Sequence, residues 1–314
     1  IGYAHARGKK VYATINGFPF NSQIDLLKKH IATMAALKPD AFIVAAPGVV
    51  RLCREIAPQI DIHLSTQANV LNYLDAQVFW DMGVKRIVVA REISLKDVME
   101  IKKHLPDMEI EIFVHGSMCF AYSGRCLISA VQMGRVPNRG SCANDCRFEY
   151  TLYAGNDEHG SLFRLEEEPG VGTYIFNSKD MNLASHIQEI LDSGAVDSLK
   201  IEGRTKSPYY AAVTAKAYRE AIDDYYAGKF EPEKYQKELH TTKNRGFTDA
   251  YLIHKPFEKT DSQNHDYALS KGSYEVTGLV TEDEHHFLCK YKVYPNEDIE
   301  IFTPHNTVLD TCEN

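Results

Sequence analysis

Short apolar runs, each ending in a polar residue and followed by a stretch with helical hydrophobic spacing, recur through the first two thirds of this 314-residue chain. Runs of four to seven apolar residues have the length of strands buried on both faces, and strands of that kind belong to parallel sheets covered by helices. The strands expected on this basis are Lys10 to Ile15, Ala41 to Ala46, Ile62 to Ser65, Arg86 to Ala90, Ile110 to Val114, Thr173 to Phe176 and Ser198 to Ile201. Helices are expected between them. Gln23 to Leu37 carries Ile24, Leu27, Ile31 and Ala35 at helical spacing, and Leu95 to His104 follows Ser94, an N-cap residue type.

This repetition predicts an α/β fold with a parallel (β/α) barrel of the TIM type. A doubly wound open sheet shares the local signature, but no Gly-rich dinucleotide fingerprint follows any strand. Gly8-Lys9-Lys10 reads as the end of a helix that begins upstream, so the barrel is expected to lack its first strand. The barrel is expected over residues 1–228, with an insertion at 116–172 that is far longer than an ordinary βα loop. A polar helical linker over 229–271 should follow. Alternating runs at Tyr274 to Val280, Phe287 to Val293 and Ile299 to Thr303 predict a small, incomplete antiparallel β-domain over 272–314.

The insertion begins with four cysteines within 28 residues, Cys119, Cys126, Cys142 and Cys146, spaced C-x6-C-x15-C-x3-C. Seven cysteines in all are an odd number for a secreted disulfide framework, and the clustering points to a metal site in a reducing, cytoplasmic setting. Thiolate sulfur selects zinc or an iron-sulfur cluster over hard cations. The spacing departs from the paired knuckles of zinc ribbons, which favours a cluster and keeps zinc as the alternative. Arg125, Arg139 and Arg147 stand nearby to offset thiolate charge or grip an anion. Cys53, Cys289 and Cys312 read instead as small buried hydrophobes.

In a βα barrel the reactive groups sit where strands pass into the following loops. Those positions are Asn16, Gln67 with Asn69, Arg91 with Glu92, His115, Lys179 with Asp180, and Glu202 with Arg204, all expected on one face. Arg91, Lys179, Arg204 and Lys206 suit a small-molecule carboxylate or a phosphate. Arg91 and Glu92 also read as an ion pair, and Asp180 as a helix cap. No apolar run reaches the roughly 20 residues of a membrane span. The formal charge of −8 speaks against a surface that grips nucleic acid everywhere, and leaves room for a local basic patch drawn from Lys200, Arg204, Lys206, Lys243 and Arg245.

Two runs then become specific, HGSMCFAYSGRCLIS from His115 to Ser129 and NRGSCANDCR from Asn138 to Arg147. They resemble the signature of the collagenase-like peptidase family of unassigned catalytic type, U32, whose members include proteins of ubiquinone, ribosomal RNA and transfer RNA hydroxylation. The runs at Leu64 to Asn69, Arg91 to Ser94, Asn177 to Asp180, Ser198 to Ser207 and Arg245 to Thr248 are most similar to its tRNA-hydroxylating branch. The resemblance implies a cluster, 4Fe-4S in type, on Cys119, Cys126, Cys142 and Cys146. It also implies hydroxylation at carbon five of the wobble uridine of tRNA, with prephenate as a required small molecule.

On this reading His115, Arg91, Glu92, Lys179, Asp180, Glu202 and Arg204 are the catalytic candidates, and Gln67, Asn69, Arg125, Arg139 and Lys206 the substrate-binding ones. Two other functions compete. A peptidase would need an activated nucleophile or an open metal position, and neither H-E-x-x-H nor G-x-S-x-G occurs in the chain. A non-catalytic scaffold would use the metal only to staple the long loop.

Overall fold

Local signals set the element boundaries. The computed structural model describes residues 1–148, 150–151, 153–156, 160–164, 177–204, 206–253, 262–264, 270, 272–274, 276–281, 286–294, 296–304 and 307–311. A short helix α1 (Gly2–His5) precedes β1 (Tyr12–Ile15), α2 (Ile24–Ala36), β2 (Ala41–Val44), α3 (Pro47–Ile56) and β3 (Asp61–Leu64). Then come α4 (Tyr73–Asp81), β4 (Arg86–Val88), α5 (Leu95–His104) and β5 (Glu109–Ser117). Pro47 opens α3 where its missing N–H costs nothing. Asn72 Oδ1 accepts from Asp75 N at 3.0 Å to start α4, and Ser94 Oγ accepts from Asp97 N at 3.2 Å to start α5. Lys102, Lys103 and His104 close α5, where cations meet the negative end of the helix.

Further along lie α6 (Ile128–Met133), the antiparallel pair β6 (Tyr153–Asn156) and β7 (Ser161–Arg164), β8 (Asp180–Asn182), α7 (Ile187–Asp192) and β9 (Ser198–Ile201). Helices α8 (Pro208–Tyr226) and α9 (Pro232–Leu239) and the two-residue β10 (Phe247–Thr248) follow. Two antiparallel pairs end the described chain, β11 (Gly278–Val280) with β12 (Phe287–Cys289) and β13 (Asp298–Phe302) with β14 (Thr307–Thr311).

Strands β1 to β5 pair in parallel in chain order. All four residues of β2 are buried, as a parallel strand covered on both faces requires. The nine-residue β5 takes two further partners. Its middle pairs in parallel with β9, from Glu111↔Ser198 to His115↔Ile201, and its end pairs antiparallel with β8, from His115↔Asn182 to Ser117↔Asp180. β8 in turn pairs in parallel with β10. The result is a mostly parallel sheet in a mixed α/β fold. Among the described residues no pairing joins β1 to β10, so the closure expected of a barrel is not seen in the strand pairings. The strand expected at Thr173 to Phe176 lies outside the described residues.

Alternation along the strands sorts the side chains. Ile62, Leu64, Ile87, Ile110, Ile112 and Val114 are almost wholly buried, and with Ile31, Val50, Val98 and Ile101 from the helices they form the apolar core. Each such side chain contributes about 1.5–3 kcal/mol. The other parity carries a polar group, His63, Arg86, Glu109, Glu111 and Lys200, beside the apolar Ile43, Val88 and Phe113. Glu111 is buried and ion-paired to Lys200 at 3.0 Å and Arg86 at 3.2 Å, while Arg86 also meets Glu109 at 2.7 Å.

The chain divides into two compact units, one of Ile1–Leu183, Glu189–Glu202 and Gly246–Ala268, the other of Ala184–Gln188, Gly203–Arg245 and Leu269–Asn314. Within the second, α8 and α9 pack through buried Tyr235, Leu239 and Val213 and the Lys216–Glu238 pair at 2.7 Å.

Candidate functional site

The cysteine segment leaves β5 through a position that only glycine can fill. Gly116 has φ +124°, and a Cβ there would lie 2.5 Å from the Glu202 carbonyl oxygen. The backbone of β9 therefore runs against β5 at this point, where Glu202 N donates to His115 O at 2.8 Å. Cys119 follows, and the chain turns at Tyr122–Gly124 beside the turn Thr66–Ala68 that ends β3. Ser123 anchors this turn. It is buried and left-handed at φ +41°, a strained conformation for serine that its surroundings must impose. Its N–H donates to Glu92 Oε1 at 2.7 Å, its hydroxyl donates to Glu92 Oε2, and its Oγ accepts from Arg91 N at 3.1 Å. Glu92 thus ties the loop between Cys119 and Cys126 to the βα turn after β4.

Past Cys126, α6 packs on the turn Asp145–Arg147 that holds Cys146. Ser129, buried in α6, accepts from Ala143 N at 3.1 Å and lies 3.9 Å from Cys142 Sγ. Packing of α6 on the turn Asp145–Arg147 and the contact of Ser129 with Cys142 draw the later part of the segment together. Burial raises the Cys119 thiol above its ordinary value although the residue as a whole is exposed; Arg91 and Arg147 oppose the rise, and Cys142 and Cys126 add to it. Burial likewise raises Cys146, opposed by Arg147 and reinforced by Cys119, Cys142 and Cys126.

Donors already point at sulfur, Ile128 N to Cys126 Sγ at 3.4 Å and Asn144 N to Cys142 Sγ at 3.3 Å. N–H donors of this kind tune thiolate-bound iron. Among the described residues no group of three or more His, Cys, Asp or Glu side chains is arranged to hold a metal ion. Among the described residues the thiols are therefore not drawn into the tetrahedron, with sulfurs about 4 Å apart, that a single zinc demands. Four soft donors, two adjacent guanidinium groups and N–H donors to sulfur fit a thiolate-bound cluster.

The polar strand ends form two neighbourhoods. Gln67, Asn69, Arg91 and Glu92 lie by the cysteine segment. Arg91 does not pair with Glu92: its guanidinium sits 3.9 Å over the Phe113 ring, with no carboxylate partner among the described residues. Gln67 Oε1 and Asn69 Oδ1 are buried acceptors without a donor among the described residues, and Asn69 is left-handed at φ +60°. His115, Lys179, Asp180 and Glu202 gather where β5, β8, β9 and β10 meet. His115 is buried with its ring 5.5 Å from that of Phe247. Asp180 caps no helix; it begins β8, its N–H donating to Gly246 O at 2.9 Å, and the Lys179 stem lies across Gly246.

Arg204 and Lys206 belong to the second unit, where Arg204 is exposed and Lys206 Nζ donates to Lys243 O at 3.4 Å. Arg125 is exposed, and the side chain of Arg139 lies outside the described residues. The basic patch expected from Lys200 and Arg245 is not available, because Lys200 pairs with Glu111 and Arg245 is buried. Cys53 is buried, with its thiol pushed up to about 11 by burial, whereas Cys289 is exposed and Cys312 lies outside the described residues.

Sequence reasoning missed Ser123, the polar sheet face and Asp145, a buried carboxylate beside Cys146 with no hydrogen bond to either oxygen among the described residues. Only Asp145 left a readable signal, as the single acid between Cys119 and Arg147.

Comparison with known proteins places this arrangement among relatives. The chain is 63% identical over its full 314 residues to the tRNA hydroxylation protein P of Helicobacter pylori, 74% of which it covers. It is 37% identical to the Escherichia coli protein of the same name, over 100% of this chain and 78% of that one. The collagenase of Porphyromonas gingivalis is 30% identical over 79% of this chain and 60% of its own length. Residues 1–262, which include β1 to β10 and all four cysteines of the segment, match peptidase family U32, and the chain belongs to that family.

Proposed function

We propose that this protein hydroxylates carbon five of the wobble uridine of tRNA, in the cytoplasm, with prephenate as a required small molecule. A 4Fe-4S cluster would be held by Cys119, Cys126, Cys142 and Cys146, and the sheet would form the larger part of a (β/α) barrel beneath it. The observation that carries this reading is the 63% identity, over the whole chain, to a protein named for tRNA hydroxylation. Four cysteines on one segment, with N–H donors directed at the sulfurs of Cys126 and Cys142, support the metal.

When bound, the cluster supplies one-electron transfer at the site. The chain's own residues do the rest. Arg91 and Arg147 offset thiolate charge, and the N–H groups of Ile128 and Asn144 donate to sulfur. Arg91, with no carboxylate partner among the described residues, is the cation we assign to a small-molecule carboxylate. Gln67 Oε1 and Asn69 Oδ1 are the acceptors we assign to N–H donors of a base, since a buried acceptor without a donor costs about 1–3 kcal/mol.

The test is nucleoside analysis of tRNA from cells lacking the protein, complemented with the wild type or with Cys142→Ala. Loss of the hydroxylated nucleoside, restored by the wild type alone, is the expected result. An unchanged nucleoside profile would overturn the reading. Hydrolysis of gelatin by the pure protein would instead favour peptidase activity, and a colourless protein with stoichiometric zinc the metal-stapled scaffold.

A further inference from the structure

We infer that the exposed surface of the cysteine segment is the face on which unpaired nucleotides of RNA dock. The inference rests on the tRNA reading above and adds where, and by which groups, the RNA is held. Phe120, Tyr122, Leu127 and Phe148 are 49, 47, 67 and 45% exposed, an apolar and aromatic surface concentrated on one short stretch of chain. A soluble surface rarely leaves so much apolar area together unless something covers it. The aromatic residues stand beside the ligand candidates: Phe120 follows Cys119, and Phe148 comes two residues after Cys146. Helix α6, which begins just after Leu127, packs on the turn Asp145–Arg147 that leads into Phe148, so Leu127 and Phe148 lie on joined elements.

Charge identifies the occupant. Between Cys119 and Phe148 the sequence carries four arginines, no lysine and one acid, a net +3 in a chain whose total is −8. The one acid, Asp145, is buried and adds little to the surface. An acidic protein that exposes Arg125 and Arg135 on the same segment as aromatic rings presents what single-stranded nucleic acid uses: guanidinium forks for phosphate and flat faces for bases. Arg125 is exposed and its N–H donates to the Tyr122 carbonyl at 3.0 Å, so ring and cation share one turn. Paired RNA hides its base faces, so rings of this kind suit a loop rather than a stem.

The test is fluorescence anisotropy of anaerobically purified protein with an anticodon stem-loop and with a fully paired duplex of the same length. The wild type should prefer the stem-loop. Tyr122→Ala and Phe148→Ala should each weaken stem-loop binding about tenfold or more, with Tyr122→Phe restoring it, since stacking needs the ring and not the hydroxyl. Arg125→Gln should lower the salt slope of log K by about 1, and Lys29→Gln, exposed on α2, should change nothing. Circular dichroism and iron content of each variant report that fold and quartet persist. A wild type that binds no tRNA-derived probe overturns the tRNA reading and this surface with it. Wild-type binding that survives both ring substitutions overturns the surface alone. So does a wild type that self-associates in sedimentation and becomes monomeric in the ring variants with RNA affinity unchanged.

Discussion

Acid should weaken the sheet through His63. This residue is 4% exposed on the polar face of β3, edge-on to Tyr12 with ring centroids 4.7 Å apart and paired in register with Arg86. Burial, joined by the Arg86 guanidinium, lowers its pKa from 6.5 to about 4, with Glu111, Glu109 and Asp61 only partly offsetting them. The folded value lies below the unfolded one, so between them the unfolded chain binds more protons. The stability contribution is therefore complete above pH 6.5 and is lost progressively as pH falls toward about 4. A shift of this size corresponds to about 3 kcal/mol in all, a large share of a typical domain stability.

Urea unfolding followed by Trp80, the single tryptophan, reports on the unit that contains His63. Titrating the wild type and His63→Phe from pH 7.5 to about 4.5, in the same state of metal loading, should show a steeper loss for the wild type of about 2–3 kcal/mol. The lower limit avoids the Glu111 carboxylate. Burial would raise its pKa, but Lys200, Ser198 and Arg86 outweigh burial and hold it below its usual value. Parallel pH dependences for wild type and variant would refute the reasoning.

Replacing any one of Cys119, Cys126, Cys142 or Cys146 by Ala should lower bound iron and abolish hydroxylation, as read by iron assay and nucleoside analysis, while Cys53→Ala should change neither. Glu92→Ala removes two hydrogen bonds to Ser123, worth about 1.5–3 kcal/mol each, so iron should pass to a chelator about tenfold faster or more with the overall fold intact by circular dichroism. Gly116→Ala forces a strained φ and drives a methyl group into the Glu202 backbone, and its urea midpoint should report a loss of more than about 2 kcal/mol.

What the sequence determined by itself is what short-range chemistry can carry. Hydrophobic period marks Ala41–Val44 and Ser198–Ile201 as strands and Ile24–Ala36 as a helix, because the period repeats within one element. Ser94 announces the start of α5, because a cap bonds three residues ahead. The cysteine spacing raises the expectation of a soft-metal site, because the four thiols lie on one segment and the preference of sulfur needs no fold to be known.

The tertiary structure alone decided what depends on register and on partners distant in the chain. Lys200 and Arg245 look like surface cations in a linear reading; pairing of β5 with β9 puts Lys200 opposite Phe113, where its Nζ reaches Glu111 two residues away on β5 at 3.0 Å, and folding buries Arg245. Asp180 looks like a helix cap until β8 finds β5 and β10. Glu92 reaches Ser123, 31 residues away, and nothing local to either residue foretells that bond. A strand's period tells which residues share a face, but only its neighbours decide whether that face meets oil, charge or water.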